Sequence, residues 1–211
     1  MSNNDNNLKE ALEKAIAETD VTELLKDWFG RPSAMPRIFM PSEQLSIATS
    51  DLASEKARIL ELGGDRPVLV VTVGLPHSGK TTWARLTGWT TVNTDMTRLA
   101  FQGRPFIQET EGWIWMVVRV MVKVLILTGN NPVILDGMFV TKKSREDWLN
   151  PNLYRVVYRV FPVSAQECIR RALLNERMEL VDNFIDRSVQ NWEVVGDEHL
   201  YYPSEGALWK P

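Results

Sequence analysis

The sequence predicts an α/β protein, with a three-layer α/β/α domain on a parallel sheet over residues 66–195. Two observations predict it. Residues 68–73 form a continuous, mostly β-branched run between Pro67 and Gly74, which suits a strand buried on both faces. Further predicted strands at 90–93, 133–136 and 154–161 alternate with predicted helices at 80–88, 95–102, 109–128, 142–149, 164–176 and 182–194. Such alternation indicates βαβ units with right-handed crossovers.

Two segments flank the predicted domain. Residues 1–65 are expected to be a helical N-terminal extension, and residues 196–211 a C-terminal tail. Apolar residues recur at helical spacing in the extension, which predicts helices at 8–19, 20–30 and 51–62, with an irregular, proline-containing connector at 31–50. Three roles for the extension stay open: it packs on the domain, pairs with a second copy to form a homo-oligomer, or binds a partner.

The composition is that of a soluble globular protein. Hydrophobic residues make up 44% and charged residues 24% of the 211 positions. No apolar run approaches the roughly 18 residues that span a bilayer, and the polar N-terminus is unlike a signal or transit peptide. We therefore expect a cytoplasmic protein without a membrane partner. A single cysteine, Cys168, excludes an internal disulfide, and the two histidines leave little for a His-rich metal site.

The charge is unevenly distributed along the chain. The net charge is −3 in total, and the middle of the chain is basic while both ends are acidic. A basic middle predicts contact with an anion, such as a nucleotide or a nucleic-acid backbone. The alternative is chance clustering of charge on a solvated surface.

A phosphate-binding loop is predicted directly after the first strand. Residues 74–81 read GLPHSGKT and fit the pattern G-x-x-x-x-G-K-[ST], between a predicted strand and a predicted helix. In such a loop the backbone N–H groups and the helix N-terminus face the phosphates. The lysine reaches the β- and γ-phosphates and the hydroxyl binds Mg²⁺. The predicted nucleotide-binding residues are Gly74, Leu75, Pro76, His77, Ser78, Gly79, Lys80, Thr81 and Thr82.

Acidic and basic side chains follow the next two predicted strands. Asp95 lies just past the second strand, at the sheet edge where ligands bind, and is a candidate general base for an attacking hydroxyl. The alternative is that Asp95 caps the following helix, a role that is compatible with catalysis. Arg98, one helical turn on, either grips an anionic acceptor or is a surface arginine. Asp136 ends the third strand and is the candidate carboxylate for a magnesium-bound water or for orienting its neighbours.

An arginine-rich helix follows the fourth predicted strand. Arg170, Arg171 and Arg177 lie in it, and a lid of this kind could bring a guanidinium onto a transferring phosphate and exclude water. The alternative is a solvated helix face with Glu–Arg pairs. Aromatic residues lie near the predicted cleft in sequence, among them Trp113 and Trp115, which either stack on bases or belong to the core.

Five segments occur together in one order over residues 67–195: GLPHSGKTTWA, VNTDMTRL, TEGWIWMVVRVM, VILDGMFVTKKSREDW and ECIRRALLNER. In these segments the chain resembles the P-loop kinases related to the kinase domain of phage polynucleotide kinase, among the AAA-type and zeta-toxin-like P-loop phosphotransferases. The chain departs from the family pattern after Asp136, where Gly137-Met138 stands in place of the frequent Thr-Asn.

The resemblance implies a P-loop nucleotide kinase fold, ATP and Mg²⁺ as cofactors, and a location in the host cytoplasm if the chain is viral. It implies these roles: Lys80 and Thr81 on ATP and Mg²⁺, Asp95 as the base, Arg98 on the acceptor phosphate, Asp136 as the acid after the third strand, and Arg171 and Arg177 as lid residues.

The expected function is an ATP-dependent kinase that transfers the γ-phosphate to a hydroxyl. The acceptor expected first is a nucleic acid, either at a 5′-hydroxyl end or at a hydroxymethyl group on a base. A small-molecule kinase for a nucleoside, sugar or antibiotic alcohol is the second hypothesis, mildly favoured by the acidic net charge. The third is a P-loop ATPase or nucleotide switch without an acceptor.

Overall fold

The computed structural model describes residues 45–104, 106–174, 184–195 and 201–202. They belong to one compact unit, Ser42–Pro211. The predicted helices at 8–19 and 20–30, Arg177 and most of the predicted C-terminal tail lie outside the described residues. In the part of the chain that the structure describes, no helix has the length and apolar character needed to cross a membrane.

The described residues contain a parallel sheet with the strand order β2-β3-β1-β4-β5, which confirms the predicted fold class. Four strands match the sequence prediction to within a residue at each end, and the short β5 was not predicted. The strands are β1 (Val68–Val73), β2 (Thr90–Asn93), β3 (Val133–Asp136), β4 (Arg155–Val160) and β5 (Tyr201–Tyr202).

Helices connect and cover these strands. They are α1 (Leu45–Gly63), α2 (Lys80–Thr87), α3 (Thr94–Gln102), α4 (Glu111–Leu127), α5 (Lys142–Glu146), α6 (Ala165–Leu174) and α7 (Phe184–Gln190). A 3₁₀ turn, Gln108–Thr110, precedes α4. The prediction of an irregular segment up to residue 50 was wrong, because α1 already begins at Leu45. The prediction for 142–149 was too long, because α5 ends at Glu146.

Strand β1 shows why the domain has three layers. All six of its residues are buried, and successive side chains of a strand point to opposite faces of the sheet. Leu69 and Val71 pack with Val118 of α4 on one face. Val68 and Val70 pack with apolar residues of α1 and α2 on the other. Helix α1, part of the predicted N-terminal extension, therefore covers one face of the sheet.

A third apolar cluster joins α6 and α7 to the loop after β1. Leu75 of that loop is fully buried against Cys168 and Ala172 of α6 and Ile185 of α7. Burial of these side chains is favourable by roughly 1.5–3 kcal/mol for each large aliphatic group. The packing fixes α6 next to the loop that the sequence predicts to bind phosphate.

Candidate active site

The loop after β1 is held at its first residue by close packing. The backbone N–H of Gly74 donates to the carbonyl oxygen of Met138, 3.1 Å away, in the segment that follows β3. A Cβ atom at position 74 would lie 2.7 Å from the Ser78 Oγ and 3.0 Å from the Phe161 Cβ. A side chain at this position would force Ser78 or Phe161 to shift, so this close approach explains the first glycine of the motif.

The other end of the loop turns through left-handed backbone conformations. His77 has φ 60° and Gly79 has φ 97°, a region that L side chains rarely adopt. Helix α2 begins immediately afterwards at Lys80, and its N-cap, Gly79, makes no side-chain cap hydrogen bond. The first N–H groups of a helix lack intrahelical partners and carry partial positive charge. This end of α2 is therefore suited to an anion.

Lys80 is buried inside the loop that it ends. Its side chain is 8% exposed, and its Nζ donates to the Leu75 carbonyl oxygen at 2.5 Å and to the Ser78 Oγ at 3.3 Å. Among the described residues, no carboxylate forms an ion pair with it. Burial lowers the pKa of Lys80 to about 8, although the nearby Asp136 opposes this shift. An ammonium group held by uncharged partners in a buried place is suited to an anionic ligand.

Asp136 is buried at the end of β3, with 1% of its surface exposed. Its Oδ2 accepts a hydrogen bond from the Asn93 Nδ2 at 2.5 Å, and the Thr72 Oγ1 lies 3.4 Å from its Oδ1. Asn93 is the residue opposite Asp136 in the pairing of β2 with β3. These two neighbours are uncharged, and the charged group near this carboxylate is the buried Lys80. A buried carboxylate beside the loop fits a cation.

The described residues contain no cluster of three or more His, Cys, Asp or Glu side chains that could hold a metal ion. Mg²⁺ is usually bound through one or two carboxylates together with phosphate oxygens and water. The donor set of Asp136 and the Thr81 hydroxyl, at the start of α2, therefore fits Mg²⁺ bound with a nucleotide.

Asp95 lies in the first turn of α3, just past the end of β2. Its side chain is 81% exposed, and its Oδ1 accepts a hydrogen bond from an Arg98 NH1 at 2.7 Å. The alternative that Asp95 caps the helix was wrong, because the N-cap is Asn93, whose Oδ1 accepts from the Met96 N–H at 2.8 Å. Asp95 thus points a carboxylate to solvent at the sheet edge where β2 ends.

Arg98 is held by a second carboxylate that the sequence did not indicate. Its Nε and NH2 donate to the two carboxylate oxygens of Glu111, each at 2.8 Å, and its guanidinium lies 5.5 Å from the centre of the Trp115 ring. The hydrogen bonding that Arg98 donates to Glu111 is the largest cause that raises the pKa of Arg98. The side chain is 11% exposed, so the alternative of a surface arginine was wrong.

The arginines of α6 divide into two kinds. The Arg171 Nε donates to the Glu167 Oε1 at 2.7 Å, and its NH1 donates to the His77 carbonyl oxygen at 3.3 Å, so it spans from the helix to the loop. Arg170 also binds Glu167 but is 61% exposed. Hydrogen bonds from Arg170 and Arg171 lower the pKa of Glu167 to about 2. The Glu–Arg pairs expected for a solvated helix face are present, and Arg171 also contacts the loop.

An ion-pair cluster behind the loop was also missed by sequence reasoning. The Arg159 Nε of β4 donates to the Glu55 Oε1 of α1 at 2.6 Å, and the Trp83 Nε1 of α2 donates to the Glu55 Oε2 at 3.1 Å. Both charged side chains are 12% exposed. The Arg159 guanidinium lies 4.8 Å from the centre of the Phe161 ring. Glu55 therefore links α1 to α2, the helix that follows the loop, and to β4.

Comparison with protein families decides the affiliation of this fold. A family model described as "AAA domain" matches residues 69–192, which include the loop, Asp95, Asp136 and Arg171. The chain belongs to this AAA domain family. The match confirms the P-loop family assignment that the sequence motifs predict. A search of curated proteins finds no match.

Several solved structures resemble the chain in part. A chain of the Pnkp1/Rnl/Hen1 RNA repair complex is 23% identical, with a TM-score of 0.47, and the match covers 61% of this chain and 47% of that one. A gluconokinase from Sinorhizobium meliloti 1021 is 16% identical, with a TM-score of 0.42 and coverage of 64% and 81%. Shikimate kinase from Acinetobacter baumannii is 18% identical, with a TM-score of 0.39 and coverage of 60% and 75%. The chain thus spans less than half the length of the RNA repair chain that it matches.

Proposed function

We propose that the protein is an ATP-dependent kinase that transfers the γ-phosphoryl group of ATP to a hydroxyl group. The observation that carries this proposal is the Lys80 ammonium, which is buried in the loop at the start of α2 with only uncharged hydrogen-bond partners among the described residues. The cost of burying this positive charge is compensated when a polyphosphate binds beside it.

The nucleotide end of the proposed site consists of the loop and the start of α2. The loop N–H groups and the helix N-terminus bind phosphate oxygens. Lys80 turns from the Leu75 carbonyl oxygen to the β- and γ-phosphates. Thr81 and Asp136 hold Mg²⁺, which when bound neutralises charge on the phosphates. The Asn93 and Thr72 groups that contact Asp136 keep its carboxylate in place for that role.

The acceptor end of the proposed site consists of Asp95 and Arg98. Asp95 is exposed and can accept the proton of an attacking alcohol as a general base. Arg98 donates three hydrogen bonds, two to Glu111 and one to Asp95. A guanidinium has five N–H groups, so two are left with which Arg98 can bind a phosphate of the acceptor. Glu111 holds the guanidinium in one orientation for that contact.

Helix α6 supplies the lid in this proposal. Arg171 already contacts the His77 carbonyl oxygen of the loop. On nucleotide binding its guanidinium moves from that carbonyl oxygen to the transferring phosphate, where a cation stabilises developing charge. Closure of the lid excludes water, which otherwise competes with the alcohol for the phosphoryl group. Arg177 is the second lid arginine of the proposal.

The acceptor class that we propose is a nucleic acid. Residues 66–187 carry 16 basic and 11 acidic residues, a net of +5, and Trp113, at the start of α4 and near Glu111 in sequence, is 46% exposed. A positive surface attracts a phosphate backbone, and an exposed aromatic ring can stack on a base. The acidic net charge of −3 for the whole chain favours the second candidate, a kinase for a small-molecule alcohol.

An incubation with γ-labelled ATP tests the proposal. The acceptor panel contains 5′-hydroxyl DNA, 5′-hydroxyl RNA, hydroxymethyl-base DNA, nucleosides, simple sugars and no acceptor. The proposal expects label on a nucleic acid, and that transfer should be lost in Asp95→Asn while ATP binding is kept. Label on a small molecule supports the second candidate. Label found only as free phosphate, at the same rate with and without acceptors, contradicts both and indicates an ATPase.

A further inference from the structure

The side chain of Asn93 is hydrogen-bonded at both ends of its amide. Its Nδ2 donates to the Asp136 Oδ2 at 2.5 Å, and its Oδ1 accepts from the Met96 N–H at 2.8 Å. The first contact reaches the buried carboxylate at the end of β3, and the second caps the helix that carries Asp95. The amide of Asn93 thus connects Asp136, the candidate metal ligand, with the first turn of α3, which carries the candidate base Asp95.

The backbone around Asn93 fixes this arrangement. Asn93 is the last residue of β2 and pairs with Asp136 across the parallel ladder. The Thr97 Oγ1 donates to the Asn93 carbonyl oxygen at 2.8 Å, which adds a bond between the strand end and α3. The amide can have only one orientation, because the opposite one would put two oxygens 2.5 Å apart at Asp136 and two N–H donors together at Met96.

We propose that Asn93 is a positioning residue that fixes the Asp136 carboxylate relative to Asp95. It would thereby fix the position of a Mg²⁺ ion held by Asp136 relative to the proposed base. The inference rests on the proposed function for the roles of those two acids. Asparagine supplies a donor and an acceptor on one short side chain. Aspartate supplies only acceptors, and serine at this place caps the helix but is too short to reach Asp136.

Three substitutions separate the two contacts. Asn93→Ser keeps an oxygen for the cap and loses the donor to Asp136, Asn93→Asp keeps the cap and places a carboxylate against Asp136, and Asn93→Ala loses both. Binding of a non-hydrolysable ATP analogue is followed by calorimetry against Mg²⁺ concentration. Because the loss of a partner that orients a metal ligand costs about 10–100-fold in affinity, the half-saturating Mg²⁺ concentration should rise by that factor in Asn93→Ser.

Hydrogen exchange at the Met96 amide, with neither nucleotide nor metal present, gives an independent measurement. Exchange should stay near the wild-type rate in Asn93→Ser and increase by about fivefold in Asn93→Ala, because only the latter loses the cap. Asp136→Ala releases the Asn93 amide and should speed Met96 exchange in the wild-type background. It should leave that exchange unchanged in the Asn93→Ser background.

The outcomes distinguish this inference from the proposed function. Wild-type Mg²⁺ dependence in Asn93→Ser, or the same effect of Asp136→Ala in both backgrounds, overturns the positioning role. If the wild-type protein binds no nucleotide, the proposed function fails, and the exchange measurements still decide whether Asn93 couples Asp136 to α3. Thermal melting of each variant serves as the folding control, and a melt like that of the wild type assigns the change in Mg²⁺ dependence to positioning.

Discussion

The burial of Lys80 predicts that this residue's contribution to the stability of the nucleotide-free protein becomes more favourable as the pH rises from 7 to 10. The pKa of Lys80 is about 8 in the folded protein, against an ordinary value of 10.5, because burial penalises the charged form. Between these two values the unfolded chain binds more protons than the folded one. Stability therefore rises with pH in this window, whereas below pH 8 both states are protonated and the full cost of burying the charge applies.

The size of the effect follows from the two pKa values. A lysine that titrates at about 8 when folded and 10.5 when unfolded adds about 2.5 kcal/mol to the free energy of unfolding between pH 7 and pH 10. Burial raises the pKa of Tyr154 and of Tyr158 to about 12. Those two shifts lower stability above pH 10, so the comparison ends there. Burial also raises the pKa of Cys168, which lowers stability within the window, so the Lys80 contribution is measured as a difference between the wild type and a Lys80 variant.

Urea unfolding of the wild type and of Lys80→Met at pH 7 and pH 10 measures this contribution. The difference in unfolding free energy between the two proteins should change by about 2.5 kcal/mol across this range. The hydrogen bonds that Lys80→Met loses lower its unfolding free energy equally at both pH values, so their effect cancels in the change of this difference with pH. Lys143→Met, which removes an exposed lysine, is the matched control. Parallel pH profiles for wild type and Lys80→Met would show that Lys80 does not titrate with a lowered pKa in the folded protein.

Three further predictions concern single side chains. Asp95→Asn should lower phosphoryl transfer by about 10²–10⁴-fold with ATP affinity kept, because it removes the proposed base; label transfer and calorimetry measure the two quantities. Glu55→Ala should lower the free energy of unfolding by roughly 3 kcal/mol, because it leaves Arg159 as an uncompensated, mostly buried charge; urea unfolding measures it. Arg171→Ala should lower the transfer rate by about 10²-fold, as expected for a lost transition-state cation, while Arg170→Ala should change it little.

Each of these predictions has a contradicting outcome. Unchanged transfer in Asp95→Asn would exclude Asp95 as the base. A loss of stability in Glu61→Ala, an exposed position on α1, equal to that in Glu55→Ala would show that the Arg159 pair contributes nothing specific. Equal effects of the two α6 substitutions would remove the distinction that the Arg171 contact with the loop predicts.

The sheet and the loop could be predicted because their causes are local in sequence. A strand buried on both faces needs a continuous apolar run, and residues 68–73 supply one. The loop needs a glycine at position 74, where a side chain would collide with Ser78 and Phe161. It also needs a residue that tolerates positive φ at position 79. These demands act on single positions, so they are visible in the motif.

The partners of the site residues could not be predicted because they come from distant elements. Glu111 lies on a different helix from Arg98, and no spacing rule connects the two. Glu55 and Arg159 are 104 positions apart in the chain. Asp95 was an alternative cap of α3 in the sequence because Asn93 and Asp95 are both good capping types, and only the end of β2 decides between them.

Calorimetric titration with Mg²⁺ and a non-hydrolysable ATP analogue measures whether the loop after β1 binds a nucleotide through Lys80. The wild type should bind one nucleotide per chain, with proton uptake at pH 9 because the Lys80 amine, mostly neutral at this pH, becomes protonated beside phosphate. Lys80→Met should bind more weakly and take up no proton. Absence of binding in the wild type, or equal affinity and proton uptake in both proteins, would exclude Lys80 and the loop as a nucleotide site.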